Sequence, residues 1–440
     1  MKNILVIGAG RSSISLIKYL LDAAEQKSWH VIVADYCLET AKKTIGNHKN
    51  CTVRKLNINI NEERIELIKL SDIVVSMLPA HMHYLVAKDC VSFKKNMVTA
   101  SYVSEDILSL DKDAKKSNII LLNEMGLDPG IDHMSAMKVI KEIQSNKGKI
   151  ITFKSFCGGL IHPDFDNNPW NYKFTWNPRN VVLAGQGTAQ YLESGLLKCI
   201  PYTKLFKKTE KISILDAGDF EAYANRDSNN YIDAYGLMGV ENLMRGTLRK
   251  KGFCDAWNVF VQLGMTDDTY HLNCKNLTNR KFINTFLPEN NLSVEEKLCN
   301  EFNFTSESII FKKLKWLGIF DDIPISNGNV SPAKILEDIL KEKWKLDKND
   351  KDMVVMQHYF EYLQSGHLKK LTSSLVVYGD TPKYTAMAKT VGLPVAIAVE
   401  LILEKRIKLK GVQIPTIEEV YIPILKKLEN FGLTFVEESV

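Results

Sequence analysis

The feature that most constrains the fold of this chain is a glycine turn between a strand and a helix within the first 35 residues. A short apolar run, Asn3 to Ile7, precedes the turn Gly8-Ala9-Gly10-Arg11-Ser12-Ser13, and apolar residues then recur at helical spacing from Ile14 to Leu21. A second apolar run, Val31 to Ala34, ends at Asp35. A strand, a glycine turn, a helix, a strand and an acid in this order predict a dinucleotide-binding site.

Each residue type in this motif has a physical role. Gly8 allows the tight turn, and Gly10 lets the backbone approach a pyrophosphate, which binds at the positive end of the helix. Asp35 lies where a carboxylate accepts hydrogen bonds from the hydroxyls of an adenosine ribose. The third glycine of the usual motif is replaced by Ser13, which is small enough for close packing of the helix on the strand. The alternative is a glycine turn with a purely structural role in an α/β fold.

Three further apolar runs, at 72–79, 96–102 and 119–123, alternate with helical patterns. Such alternation predicts an α/β fold with an N-terminal Rossmann domain, built on a doubly wound parallel sheet. Ligands bind at the carboxyl ends of the strands of such a sheet. We therefore expect the dinucleotide to contact the glycine turn and the strand ends, at Gly8, Gly10, Arg11, Ser12, Ser13, Asp35, Leu78, Pro79, Ala100 and Ser101.

The pattern changes near residue 150. Apolar runs separated by long loops predict the strands of an α+β mixed sheet at 150–157, 181–184, 212–214 and 220–223. Apolar residues at helical spacing predict helices at 309–317, 335–344, from 386 onward and at 422–428. The expected boundaries are 1–127 with 395–440 for the cofactor domain, 128–265 with 346–394 for the substrate domain, and 266–345 for an inserted helical subdomain.

Composition argues against several classes of protein. The 57 Lys and Arg residues exceed the 52 Asp and Glu residues by only five in 440, so nucleic-acid binding has no support. No apolar run reaches the roughly 18 residues of a membrane helix, so we expect no membrane partner. The opening run is too short for a secretory signal, and none of the eight cysteines forms a Cys-x-x-Cys pair. We therefore expect reduced thiols, a cytoplasmic protein and no metal site, since His81 and His83 also lack helical metal spacing.

Three later segments carry groups suited to chemistry. Asp128-Pro129 has the pattern of a helix N-cap and first helical residue, yet it also follows a Rossmann strand, where an acid would lie beside the cofactor; both interpretations can hold. Cys157-Gly158-Gly159 follows a strand, and its glycines would allow a ligand to approach closely. Arg226 and the segment Arg245-Gly246-Thr247-Leu248-Arg249 offer guanidinium groups that suit carboxylates, although a lone arginine is usually a surface residue.

Taken together, these segments resemble the glutamate-forming saccharopine dehydrogenases, which also occur as the C-terminal half of a bifunctional lysine-degrading enzyme. The matching stretches follow the order of the family over nearly the whole chain, and the middle helical region resembles the family least. The stretches are 96–102, 126–134, 157–159, 167–169, 172–174, 225–228, 245–249 and 386–392.

The resemblance implies oxidation of saccharopine, a tricarboxylate with a secondary amine, to glutamate and 2-aminoadipate 6-semialdehyde. Hydride leaves the carbon beside the amine after the nitrogen has lost a proton, and water then hydrolyses the imine. Asp128 is the first candidate for the proton transfer, and Tyr102 is the second. The residues expected to line the substrate are Ser101, Tyr102, Asp128, Cys157, Gly158, Arg226, Thr247, Leu248 and Arg249. The resemblance also implies a homodimer formed through the substrate domain.

The sequence departs from the fungal members of this family after the second strand. Those members use NADP and have an arginine there, whereas this chain reads Ala34-Asp35-Tyr36 and has no Arg or Lys before Lys42. Because a carboxylate repels a 2′-phosphate, the sequence predicts NAD rather than NADP, and with it the direction of lysine degradation.

Two other functions are alternatives to this one. A carboxynorspermidine-type dehydrogenase acts on a polyamine with one carboxylate, which would favour acids over Arg226 and Arg249 in the pocket. A non-catalytic nucleotide-binding protein of the same fold would have lost the pocket residues, yet Tyr102 and Asp128 are both present. The sequence therefore favours the saccharopine dehydrogenase.

Overall fold

The computed structural model describes residues 1–46, 48–326 and 328–439. By its internal contacts the chain divides into two compact units. Unit 1 comprises Met1–Lys149 and Val377–Val436, and unit 2 comprises Ile150–Val376 and the residues from Glu437 onward.

The strands, numbered in chain order, are β1 Lys2–Ile7, β2 Trp29–Asp35, β3 Cys51–Lys55, β4 Ile73–Ser76, β5 Asn96–Thr99, β6 Ile120–Leu122, β7 Lys149–Ile161, β8 Ala189–Glu193, β9 Leu196–Ile200, β10 Thr209–Ile214, β11 Gly218–Ala224, β12 Asn242–Arg249, β13 Leu272–Asn273, β14 Asn329–Val330, β15 Asp352–Gln364, β16 His367–Tyr378, β17 Gly411–Gln413 and β18 Val436–Ser439. The helices are α1 Ile14–Ala24, α2 Leu38–Ile45, α3 Asn61–Leu70, α4 His83–Ser92, α5 Glu105–Ser109, α6 Asp111–Lys116, α7 Ile131–Ser145, α8 Pro178–Val182, α9 Tyr202–Leu205, α10 Ile232–Tyr235, α11 Phe253–Leu263, α12 Asn279–Asn284, α13 Val294–Phe302, α14 Ile309–Trp316, α15 Pro332–Lys343, α16 Ala386–Leu403 and α17 Glu418–Glu429.

Unit 1 is built on a seven-stranded sheet in the order β17-β6-β5-β4-β1-β2-β3, and its paired strands are parallel. The interior strand β1 is buried from Ile4 to Ile7, as expected for a strand with helices on both faces. The predicted doubly wound Rossmann fold is therefore confirmed. The runs at 72–79, 96–102 and 119–123 form β4, β5 and β6, each shorter than its apolar run.

Unit 2 contains the predicted mixed sheet, in the order β10-β11-β12-β7-β15-β16-β18, with β8 and β9 attached to β12. Strand β12 runs parallel to β7 but antiparallel to β11. The predicted strand at 150–157 continues to Ile161, so Gly158 and Gly159 lie inside β7 rather than after it.

One predicted strand of unit 2 is wrong. The run Val181–Ala184 belongs to helix α8 and the turn that follows it. Asn177 caps this helix by accepting a hydrogen bond from the Arg179 N–H, and Pro178 occupies the first turn. A strong N-cap followed by proline overrides the strand preference of two adjacent valines.

The helical residues between 266 and 345 form α12 to α15 and belong to unit 2. The core of this unit includes the buried rings of Trp170, Trp257 and Trp344. The division into units also differs from the expected boundaries near 127 and 394, because helix α7 and all of α16 lie in unit 1.

Helix α16 is the one described helix that is long and apolar enough to cross a membrane by length and composition. Its 18 residues have a mean hydropathy of 1.8, but 83% of them are buried inside the protein. Gly392 allows its close packing on α1, because a Cβ there would lie 2.8 Å from the Leu16 nitrogen. These observations are those of a core helix of unit 1.

Candidate active site

The glycine turn of unit 1 has the shape that a dinucleotide requires. Gly8 has a φ of +102°, and a Cβ at this position would lie 2.6 Å from the Met77 carbonyl oxygen. A Cβ at Gly10 would meet no atom of the described residues within 4 Å, so Gly10 faces open space among them. The chain then enters a short 3₁₀ turn, Arg11–Ser13, that leads into α1. Gly8 is thus required by the fold, whereas no described residue packs so closely that Gly10 is required.

Ser13 is buried at the position of the third glycine, as predicted for a small packing residue. Its hydroxyl donates a hydrogen bond of 2.8 Å to the Gly10 carbonyl. This hydrogen bond therefore stabilises the glycine turn.

Asp35 contacts the turn itself. One carboxylate oxygen accepts a hydrogen bond of 2.7 Å from the Ala9 N–H, and the other accepts one of 2.8 Å from the Cys37 N–H. The carboxylate thus ties the end of β2 to the glycine turn. This contact gives Asp35 a structural function in addition to its predicted contact with the ribose.

A buried histidine links the ends of two neighbouring strands in unit 1. The Nδ1 atom of His83 lies 2.8 Å from the Ser76 hydroxyl, and its Nε2 atom lies 2.6 Å from the Ser101 hydroxyl. Burial lowers the pKa of His83 to about 4, so the ring is neutral at pH 7. Ser101, a predicted contact of both ligands, is therefore oriented by His83, a residue that the sequence did not assign to the site.

The structure brings the two predicted catalytic residues together. The Tyr102 hydroxyl donates a hydrogen bond of 3.1 Å to the Asp128 carboxylate. Tyr102 follows β5, and Asp128 lies in the tight turn before α7. In this turn Gly130 has a φ of +147°, and a Cβ there would lie 2.0 Å from the Gly126 carbonyl oxygen.

The N-cap interpretation of Asp128 is wrong. Gly130 is the N-cap residue of α7, which begins at Ile131. The carboxylate that serves the backbone here is that of Asp132, which accepts a hydrogen bond of 2.6 Å from the Gly130 N–H. Asp128 is therefore not used to start the helix.

In unit 2, five predicted substrate residues lie on the neighbouring strands β7 and β12. Cys157 is paired with Thr247 across the two strands. A Cβ on Gly158 would lie 2.8 Å from the Leu248 carbonyl oxygen, so the glycine allows these strands to approach. Arg249 ends β12. Cys157, Gly158, Thr247, Leu248 and Arg249 thus form one continuous part of the sheet.

The guanidinium of Arg249 is buried among aromatic rings. Only 4% of the residue is exposed, and its guanidinium carbon lies 5.2 Å from the ring centres of both Tyr172 and Phe253 and 5.8 Å from that of Tyr223. One terminal nitrogen donates to the Leu248 carbonyl at 2.9 Å, and Nε has no hydrogen-bond partner. Among the described residues, no carboxylate lies within ion-pair distance of this guanidinium.

The other predicted arginine has a different setting. Arg226 is exposed in the loop after β11 and has a φ of +50°. Arg245, which the sequence left in doubt, is buried, with its guanidinium carbon 4.5 Å from the centre of the Tyr231 ring. Lys173, within a stretch shared with the family, forms ion pairs of 2.8 Å with Asp347 and 2.6 Å with Asp350.

Both parts of the chain match models of one protein family. The saccharopine dehydrogenase NADP binding domain matches residues 4–122, and the saccharopine dehydrogenase C-terminal domain matches residues 126–433. The chain belongs to the saccharopine dehydrogenase family. This family comprises oxidoreductases of lysine metabolism that act on CH–NH groups, so the predicted family and enzyme class are confirmed.

Individual relatives match over the whole chain. The saccharopine dehydrogenase [NADP(+), L-glutamate-forming] of Pyricularia oryzae is 34% identical, over 100% of this chain and 99% of its own length. The mitochondrial alpha-aminoadipic semialdehyde synthase of Bos taurus is also 34% identical over 100% of this chain. The chain spans about half of that relative, because the match covers 48% of its length.

Solved structures agree with these matches. The apo saccharopine dehydrogenase (L-Glu forming) of Saccharomyces cerevisiae superposes with a TM-score of 0.89 at 32% identity, covering 100% of both chains. A homospermidine synthase of Legionella pneumophila, solved in complex with NAD, has a TM-score of 0.60 at 9% identity. That second likeness extends to the fold alone.

The prediction of NAD as cofactor is wrong. The fungal relatives are NADP(+) enzymes by name, and the family model that matches unit 1 is an NADP binding domain. Asp35 would repel a 2′-phosphate if its full charge faced the bound ribose. In the structure, each oxygen of Asp35 accepts a backbone hydrogen bond, so its negative charge is partly compensated within the turn.

Proposed function

We propose that this chain oxidises saccharopine to glutamate and 2-aminoadipate 6-semialdehyde with NADP as the hydride acceptor. The observation that carries the proposal is the buried guanidinium of Arg249, which has no carboxylate partner among the described residues. Burying an uncompensated charge is costly unless a counter-charge binds there. A substrate with three carboxylates supplies that counter-charge, whereas a polyamine with one carboxylate has less use for it.

The proposed chemistry assigns a separate task to each group. Arg249 binds a substrate carboxylate, and its aromatic surroundings exclude the water that would otherwise solvate the pair. Asp128 accepts the proton of the secondary amine, because a protonated nitrogen has no lone pair to expel the hydride. Tyr102 holds the Asp128 carboxylate in place through its hydrogen bond.

The residues of unit 1 fit a dinucleotide. The open space at Gly10 and the start of α1 suit a pyrophosphate. Two exposed cations follow or adjoin the residues of the predicted cofactor site. Arg11 directly follows Gly10 in the sequence, and Lys55 is paired with Asp35 across β2 and β3. We assign the 2′-phosphate to these two side chains, which take the place of the arginine that the fungal members have after the second strand.

The first experiment measures nicotinamide reduction by the purified chain with saccharopine, using NADP and NAD in parallel, and assays glutamate in the product. We expect NADPH and glutamate in equal amounts. Oxidation of a polyamine carboxylate instead of saccharopine would overturn the proposal, as would binding of NADP without turnover of saccharopine. For the cofactor assignment, the variant Arg11→Ala/Lys55→Ala should raise the KM for NADP about tenfold and leave that for NAD unchanged, with Lys43→Ala as the control.

Two further features belong to this proposal. We also propose a homodimer formed through the substrate domain, as the family resemblance implies, and a cytoplasmic location, where the thiols would stay reduced. Light scattering of the purified chain should give twice the mass of 49.9 kDa. A monomer with full activity would contradict the dimer without affecting the proposed reaction.

A further inference from the structure

Glu124 is a buried acid that the proposed chemistry does not use. Only 4% of the residue is exposed, and its φ of +58° lies in the left-handed region that a non-glycine residue adopts at a cost. It follows β6 and precedes the turn that carries Asp128. A buried carboxylate in a strained backbone conformation costs free energy, which its contacts must offset.

Glu124 forms hydrogen bonds with the backbone on both sides of Tyr102. The Glu124 N–H donates a hydrogen bond of 3.0 Å to the Ser101 carbonyl, on one side of Tyr102. The Glu124 carboxylate accepts a hydrogen bond of 3.1 Å from the Val103 N–H, on the other side. The backbone before and after Tyr102 is therefore fixed by a single residue.

The second carboxylate oxygen of Glu124 extends this network to α7. It lies 2.8 Å from Nε2 of His133, which is fully buried. His133 lies in the first turn of α7, directly after the turn that contains Asp128. The Nδ1 atom of the same ring lies 3.7 Å from the Asp132 carboxylate, which accepts the Gly130 N–H. One polar network thus joins the segment of Tyr102 to the turn of Asp128.

We infer that Glu124 and His133 form a positioning pair that holds the Tyr102 hydroxyl against the Asp128 carboxylate. This inference rests on the proposed function, since it concerns the residues assigned there to proton transfer. Neither member of the pair needs to touch substrate. Small displacements at a reacting group reduce the rate steeply, so the pair acts on the chemical step through Tyr102.

The proposed pair of Glu124 and His133 predicts that one substitution of Glu124 is tolerated and another is not. In Glu124→Gln, the amide oxygen still accepts from the Val103 N–H, and the amide nitrogen can donate to Nε2 of His133 when the ring carries its proton on Nδ1. In Glu124→Ala, both contacts are lost. Activity should therefore be retained in Glu124→Gln and reduced in Glu124→Ala, which a requirement for the negative charge alone would not produce.

The test is a double-mutant cycle between Glu124→Ala and Tyr102→Phe, measured by saccharopine-dependent NADPH formation, with thermal unfolding of every variant. We expect Glu124→Ala to lower kcat about tenfold in the wild-type background and less than about twofold in Tyr102→Phe. Equal losses in both backgrounds would overturn the inference, as would a Glu124→Gln variant as impaired as Glu124→Ala. If Glu124→Ala does not fold, His133→Gln enters the same cycle with the same expected result.

The wild-type assay separates this inference from the proposed function. A wild-type chain without saccharopine activity refutes the proposed function. An active wild-type chain whose two substitutions act independently refutes only the positioning pair.

Discussion

The charged guanidinium of Arg249 is buried, although such a group is more stable in water. Its guanidinium lies over three aromatic rings, which compensate part of the lost hydration by cation–π attraction. They do not supply the hydrogen bonds that Nε lacks. A charge held in this way favours binding of an anion over stability of the free protein.

We therefore expect Arg249→Met to separate binding from stability. The KM for saccharopine should rise about 100-fold, because a charge-assisted bidentate contact contributes about 2–3 kcal/mol. The thermal midpoint of the free protein should stay equal or rise, since a flexible apolar side chain replaces an uncompensated buried charge. Arg226→Met, at an exposed site, provides the comparison for stability. A lower midpoint with an unchanged KM would show that Arg249 is a structural residue.

A second substitution of a single residue, Asp128→Asn, tests the proposed proton transfer. The amide still accepts the hydrogen bond from Tyr102 but cannot take a proton from the amine, so kcat should fall at least 100-fold. The thermal midpoint should change little, because Asp128 does not cap α7. Single-turnover measurements with saccharopine would check this, and a variant with more than a tenth of the wild-type kcat would exclude Asp128 as the base.

The sequence predicted these residues but not their surroundings. Tyr102 and Asp128 could be chosen because they lie in stretches shared with a family. The roles of His83 and Glu124 depend on contacts with residues far from them along the chain or on a backbone conformation, and neither leaves a local pattern. Asp128 was also misread as a possible N-cap, because Asp-Pro is a common start of a helix and the left-handed φ of Gly130 cannot be seen in a sequence.

At the scale of elements, two glycines of unit 1 have different roles: Gly130 is needed for folding, and we expect Gly10 to be needed for cofactor binding. Gly130 is enclosed by backbone, whereas Gly10 has a φ of −68° and free space where a Cβ would lie. A side chain is therefore excluded by the protein at Gly130 but not at Gly10. The contrast gives a matched pair of substitutions within the same unit.

Gly10→Ala should fold with an unchanged thermal midpoint and raise the KM for NADP at least about tenfold, because its methyl group occupies the space left for the pyrophosphate. Gly130→Ala should lower the midpoint strongly or prevent folding, because its methyl group would overlap the Gly126 carbonyl. Fluorescence titration with NADPH and thermal unfolding distinguish the two effects. A Gly10→Ala variant with wild-type NADP affinity would show that the glycine turn is not part of the cofactor site.

Elements were predictable where one signal dominated. The strands of the parallel sheet in unit 1 are buried on both faces and therefore appear as continuous apolar runs. Helix α8 was missed because the pair Val181-Val182 also suits a strand, and only the cap at Asn177 decides between the two. Strand β7 was ended too early because glycines usually interrupt strands, whereas Gly158 is needed here for the approach of β12.

At the scale of the whole molecule, unit 1 contains a charge cluster that joins segments distant along the chain. Glu400 on α16 is buried and forms ion pairs of 2.6 Å with both Lys27 and Lys427. The Tyr19 hydroxyl also donates a hydrogen bond to it. The cluster therefore connects the first 30 residues of the chain with its last two helices.

This cluster predicts how stability depends on pH. Burial alone would raise the pKa of Glu400, but the hydrogen bonds and charges of Lys27 and Lys427 outweigh it and lower the pKa from 4.5 to about 2. A carboxyl whose pKa is lower in the folded state stabilises the protein fully above about pH 4.5, and the contribution disappears as the pH falls through about 2. Glu400→Gln should therefore lower the free energy of unfolding by about 3 kcal/mol at pH 7.

The difference between wild type and Glu400→Gln should shrink as the pH falls below about 4.5. Thermal unfolding between pH 7 and pH 3 measures this convergence. Glu404→Gln is the matched control, because Glu404 contacts the same Lys27 but its side chain is 33% exposed, so its removal should cost less than about 1 kcal/mol. A constant difference between wild type and Glu400→Gln across this range would mean that the amide disturbs packing, and that the charge of Glu400 does not stabilise unit 1.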